Sequence, residues 1–175
     1  VDLSEFKAIE DDAAEVLATL EACALDLSGL TTLGDAAVAF LSKCDEDTTL
    51  DLGGLSGLSD QVIEYLADFQ GYALLLSGVL SMSDDGIEKL SSVSAELSLS
   101  GLAELSDKAA SVLANHDGQL HLNGLQTLSN EAAMSLASHE ADISLASLQA
   151  FPSDSTAEEE LAKKLGSQSF IDLDG

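Results

Sequence analysis

The 175 residues carry 32 acidic side chains against six basic ones, for a net charge of -26, and all six basic residues are lysines. This balance repels phosphate, and the chain lacks the two-pronged grip of arginine, so nucleic acid and anionic membrane surfaces are not expected partners. Apolar residues make up 46% of the chain, but polar ones interrupt them too often for the run of about 18 that a membrane helix needs, so no membrane insertion is expected.

Taken in order, the chain divides into units led by an apolar-x-apolar pair, starting at Val1, Leu25, Leu50, Leu74, Leu97, Leu120 and Ile143, with a truncated restart at Ile171. Starts 23 to 28 residues apart mark a tandem array, the sequence signature of a solenoid. The first unit is the least regular, with Glu5 where later units carry glycine. The second unit has extra residues around positions 45–47, between helix and next strand, where insertions are tolerated. The seventh contains the only proline, Pro152, and its spacing predicts a longer helix with Leu161 and Leu165 facing inward. Residues 171–175 restart the strand. The span 1–175 reads as one solenoid domain and as a segment of a longer protein. Strand-like sequence at both ends, without a polar cap, predicts end-to-end self-association through open strand edges. Two cysteines, Cys23 and Cys44, are too few for a disulfide framework, and no compartment can be assigned.

Each unit has the same internal plan: a strand, a turn and a short helix. The L-x-L pair, as in Leu97 and Leu99, points into the core from a short parallel strand. Gly29, Gly54, Gly78, Gly101 and Gly124 follow, where positive φ or a close backbone approach is expected. Two more apolar columns (Leu30, Leu55, Val79, Leu102, Leu125 and Leu33, Leu58, Met82, Leu105, Leu128) fill the turn layer. Ser59, Ser83, Ser106 and Ser129 read as N-caps. Behind them Asp11, Asp35, Asp60, Asp84, Asp107 and Asn130 meet the positive end of each helix dipole. The alanine pairs, such as Ala13 with Ala14 and Ala109 with Ala110, let each helix lie close to the sheet.

Residues 82–90 (MSDDGIEKL) and 105–114 (LSDKAASVLA) closely match the second half of the leucine-rich repeat in its cysteine-containing subtype. The chain resembles a bacterial-type variant of that family, with Leu30, Leu55, Val79, Leu102 and Leu125 in place of its cysteine or asparagine column. The resemblance implies an α/β fold: a right-handed leucine-rich-repeat solenoid of about seven strand-turn-helix units. Its parallel sheet would line the concave face, with short helices on the convex face. It also implies a protein-binding role; separately, no catalysis and no cofactor are expected.

On such a concave face, the position between the paired leucines reads Asp2, Asp26, Asp51, Leu75, Ser98, His121, Ser144 and Asp172. The next outward position reads Ser4, Ser28, Gly53, Ser77, Ser100, Asn123, Ala146 and Asp174. The expected partner-binding residues are therefore Asp2, Asp26, Asp51, Ser28, Ser77, Ser98, Ser100, His121, Asn123 and Ser144, and a basic or polar protein is the expected partner. No Trp, Tyr or Arg anchors this face. Stacking Asp2, Asp26 and Asp51 about 5 Å apart costs roughly 0.8 kcal/mol per neighbouring pair in water. A cation or basic partner would offset this, although solvated carboxylates are the simpler reading. A rigid spacer segment of a larger, cell-surface bacterial protein is the alternative function.

His116 and His139 share a column with Leu20, Cys44, Phe69 and Val93, which makes partial burial over the core a simpler expectation than a metal site. His121 has serines near it but nothing legible to orient it, so the sequence supports no nucleophilic centre and no enzyme is expected.

Overall fold

The structure is a computed structural model and describes residues 1–20, 24–149 and 155–167. The expectations placed on Cys23, Pro152, Asp172, Asp174 and the restart at Ile171 lie outside the described residues. Helix and strand alternate: α1 (Asp11–Ala18), β1 (Ala24–Asp26), α2 (Asp35–Leu41), β2 (Thr49–Asp51), α3 (Asp60–Leu66), β3 (Ala73–Leu75) and α4 (Asp84–Leu90). Then follow β4 (Glu96–Ser98), α5 (Asp107–Leu113), β5 (Leu120–His121), α6 (Asn130–Ala137), β6 (Ile143–Ser144) and α7 (Ser155–Ser167). The six strands pair in chain order, every neighbour parallel, so this is an α/β solenoid and not a closed barrel.

The register follows the leucine columns. Leu25, Leu50, Leu74, Leu97, Leu120 and Ile143 stand opposite one another along the sheet. The second members of the pairs, from Leu27 to Leu145, are also buried. Removing one such side chain from water stabilises the fold by about 1.5–3 kcal/mol, so the core is a continuous leucine ladder and not a centre with a periphery. Asp2 extends the sheet by one isolated parallel bridge to Asp26. Leu52, Leu76, Leu99 and Leu122 each donate their backbone N–H to a carbonyl of the next strand at 2.9 Å, which carries the sheet one residue past each strand.

After each strand the chain turns on itself. The N–H of Leu30, Leu55, Val79, Leu102 and Leu125 donates to the carbonyl three residues earlier at 3.0–3.2 Å. The apolar column standing where the resembled repeats have a polar residue is therefore compatible with a satisfied backbone: the turn closes through its own main chain.

Of the two reasons expected for the glycine column, close approach is the one observed, because no glycine among the described residues has positive φ. A Cβ on Gly101 would lie 2.5 Å from the carbonyl oxygens of both Ser77 and Val79. Each turn thus nests on the backbone of the turn before it, at a distance that excludes any side chain.

The caps form as the sequence indicates. Ser59, Ser83, Ser106 and Ser129 accept from the backbone N–H groups of Val62, Gly86, Ala109 and Ala132 at 2.9–3.2 Å. Two of them also donate to the preceding unit: Ser106 Oγ to Asp84 Oδ1 at 2.6 Å, and Ser129 Oγ to Asp107 Oδ1. The aspartate column therefore links successive units as well as complementing the helix dipoles. In α7, 13 residues long, Leu161 is buried and Leu165 half-buried, as the longer seventh unit predicts. Ala13 departs from the alanine pattern. It is exposed, whereas its counterpart Ala37 is buried, because no described unit stands on the far side of α1.

Candidate functional site

The parallel register brings the ten expected binding residues onto one face of the sheet and its following turns. Asp26 stands opposite Asp51, Asp51 opposite Leu75, Leu75 opposite Ser98, Ser98 opposite His121 and His121 opposite Ser144. Asp2 joins through its bridge to Asp26, so three carboxylates lie in a row at the sheet's first edge.

The three carboxylates share one local arrangement. Asp2 Oδ1 accepts from the Ser4 hydroxyl at 2.7 Å and its backbone N–H at 3.0 Å. Asp26 Oδ1 accepts from the Ser28 hydroxyl at 2.6 Å and its N–H at 3.0 Å. Asp51 Oδ1 accepts from the Gly53 N–H at 2.8 Å. Charge-assisted bonds of this kind hold the carboxylates in place and partly offset their mutual repulsion. At Asp2 the Ser4 hydroxyl, followed by the Ser4 N–H, draws the carboxyl below its ordinary range.

Beyond Leu75 the face is a chain of small hydroxyls. Ser77 Oγ lies 3.0 Å from Ser98 Oγ, Ser98 Oγ lies 3.2 Å from Ser100 Oγ, and Ser100 donates to the His121 carbonyl at 3.2 Å. Asn123 Oδ1 accepts from Ser144 Oγ at 2.6 Å and from the Ala146 N–H at 3.0 Å. Ser98 corrects the simplest reading of the column. It is only 5% exposed and fills space between its neighbours instead of presenting a hydroxyl to solvent.

His121 has the orienting partner that the sequence reading did not find: its Nε2 lies 2.8 Å from Glu96 Oε1. Glu96 is two residues before Ser98, on the same strand face, and is therefore the diagonal cross-strand neighbour of His121. Extending the alternation backward from each leucine pair would have exposed this third column, which reads Ala24, Thr49, Ala73, Glu96, Gln119 and Asp142.

The lysines take no part in this face. Lys89 on α4 reaches Glu64 on α3 at 3.3 Å, and Lys108 on α5 reaches Asp85 and Glu88 on α4 at 3.2 and 3.3 Å. Lys163 pairs with Glu160 within α7 at 2.8 Å. These ties join exposed groups along the helix layer, where solvent and salt screen them. Among the described residues no three His, Cys, Asp or Glu converge as a metal set, and no helix is long and apolar enough to cross a membrane. What the face offers chemically is a row of fixed carboxylates, a hydroxyl network and one carboxylate-held imidazole. No family model, no curated protein and no solved structure matches this chain.

Proposed function

We propose that this chain is a binding module of the leucine-rich-repeat kind, without catalysis, whose strand face receives a basic protein partner. The observation that carries the reading is the in-register row of Asp2, Asp26 and Asp51, with no lysine paired to it. A row of fixed negative charge favours encounter with a basic surface and selects against acidic ones. Amide shift mapping of the isotope-labelled chain with a hepta-lysine peptide tests it. Saturable shifts centred on Asp26, Asp51 and His121, lost when all three aspartates become asparagine, are expected. Shifts spread evenly over the helices would overturn the reading.

A second reading, a structural spacer with no ligand, is favoured by the way this face satisfies itself, with carboxylates closing their own turns and serines bonded to one another. The same titration separates the two, since a spacer gives no saturable shifts. End-to-end association with a second copy belongs to either reading. It is supported by the exposure of Phe6 and Leu20 in the first unit, whose counterparts Leu30 and Cys44 are buried. Sedimentation over a hundredfold concentration range, with Phe6→Glu as the dissociating variant, checks it. A monomer throughout that range would refute it.

A further inference from the structure

Where the helices end and the strands begin, the molecule carries a groove of about 1060 Å³. It runs from Ala39 and Lys43 in the second unit, through Tyr65 and Tyr72 in the third, to Ala141 in the sixth. Its floor includes Gly71, Ala95 and Gly118 from successive loops. Gly71 admits nothing larger, since a Cβ there would lie 2.5 Å from the Thr48 carbonyl oxygen.

The groove has one property that the strand face lacks and one that the two share. Tyr65 and Tyr72 are the only tyrosines in the chain, and both line it, Tyr72 with 60% of its surface exposed. The remaining charge is strongly one-sided: Glu46, Asp68, Glu96 and Asp117 stand against the single ammonium of Lys43.

We propose that this groove takes an extended, arginine- and lysine-bearing segment of a protein partner. The inference rests on reading the chain as a binding module and states where the basic side chains of the partner go. A guanidinium or ammonium over an exposed tyrosine ring, with carboxylates alongside, gains both cation–π attraction and charge neutralisation. Tyrosine is also the residue type that anchors interfaces, and the strand face has none. The length fits as well. Four steps between adjacent strands cover about 19 Å, which six extended residues span at roughly 3.3 Å each. Glu96 belongs to both surfaces, lining the groove while holding His121, so a segment lying in the groove continues directly onto the strand face.

The chain contains no tryptophan, so its intrinsic emission reports only on Tyr65 and Tyr72. The probe is the capped hexapeptide Arg-Gly-Arg-Gly-Arg-Gly, with Glu-Gly-Glu-Gly-Glu-Gly as control, at low salt. The arginine peptide should change the emission saturably and the glutamate peptide should not. By calorimetry, Tyr72→Ala should weaken binding at least tenfold while its circular dichroism stays that of the parent. Asparagine at positions 2, 26 and 51 should leave the affinity within twofold. Binding unaffected by Tyr72→Ala but lost in the asparagine variant refutes the groove and leaves the strand-face reading standing. Absence of binding to the parent chain in this titration and in the hepta-lysine mapping removes both.

Discussion

The imidazoles of His116 and His139 stack in parallel, with ring centroids 6.3 Å apart and planes within 10° of each other, yet only His116 is held by hydrogen bonds. His116 places Nδ1 3.1 Å from the Ser91 carbonyl and Nε2 3.0 Å from that of Ala95. The corresponding carbonyls for His139 are those of Ala114 and Gly118. They lie close enough to favour a proton on the ring but do not complete a hydrogen bond, which leaves both of its buried nitrogens without a partner among the described residues.

Burial, aided by the positive charge of Lys164 and by His116, holds His139 below the ordinary histidine range against the pull of those carbonyls. The folded state thus prefers the neutral ring more than the unfolded chain does. The stability this ring contributes is complete above the unfolded value of about 6.5 and is lost as pH falls from there through the lower folded value. The melting temperature should drop between pH 7.5 and 5.5. His139→Leu, a side chain the column already contains at Leu20, should flatten this slope and stabilise the acidic end by about 1 kcal/mol. An equal slope in parent and variant would refute the assignment.

Gly101→Ala should destabilise the chain by about 2–3 kcal/mol, because the new Cβ meets two backbone carbonyls that cannot swing aside. Gly57→Ala provides the contrast. Nothing lies within 4 Å of a Cβ there, so the change should be neutral or stabilise by about 0.5 kcal/mol through the unfolded state. Urea midpoints for the pair decide the matter, and similar losses at both positions would contradict the nested turns.

Ser106→Ala removes a cap on Ala109 and a hydrogen bond to Asp84 in the preceding unit. Its cost should be about 1–2 kcal/mol. Ser106→Asp restores the cap but sets a carboxylate against Asp84, so it should recover less than half of that loss. Full recovery, measured by thermal unfolding, would mean that the link between units contributes nothing.

Asp26 has a carboxylate on either side in the parallel register. Asp26→Asn keeps an oxygen for Ser28 while removing the charge, so it should raise the low-salt melting point by the equivalent of about 1 kcal/mol. The gain should vanish in 1 M salt, where screening acts within about 3 Å. A salt-independent difference would show that repulsion in the row is already offset.

Much of this molecule was readable in advance because it repeats. One leucine column fixes a register, and the register then places every other column, including the serine caps and the row of aspartates. What escaped the sequence depends on relations that a repeat alignment does not display. The Glu96–His121 pair runs diagonally between columns. The tyrosine groove is lined by residues from several successive units. Ala13 is exposed because of what adjoins its unit, although its local sequence matches its neighbours. The glycine column was placed correctly, but only coordinates could distinguish between its two physical explanations.

The nesting of Gly101 against the carbonyls of Ser77 and Val79 works as a ruler with no side chain on its scale. Because main chain meets main chain in the same way at Gly54, Gly78, Gly101 and Gly124, a whole unit cut out between equivalent positions should bring together turns of the same kind. The reach of the array is thus expected to be shortened by excision at the turns, with the side-chain columns of the newly joined units deciding the cost in stability.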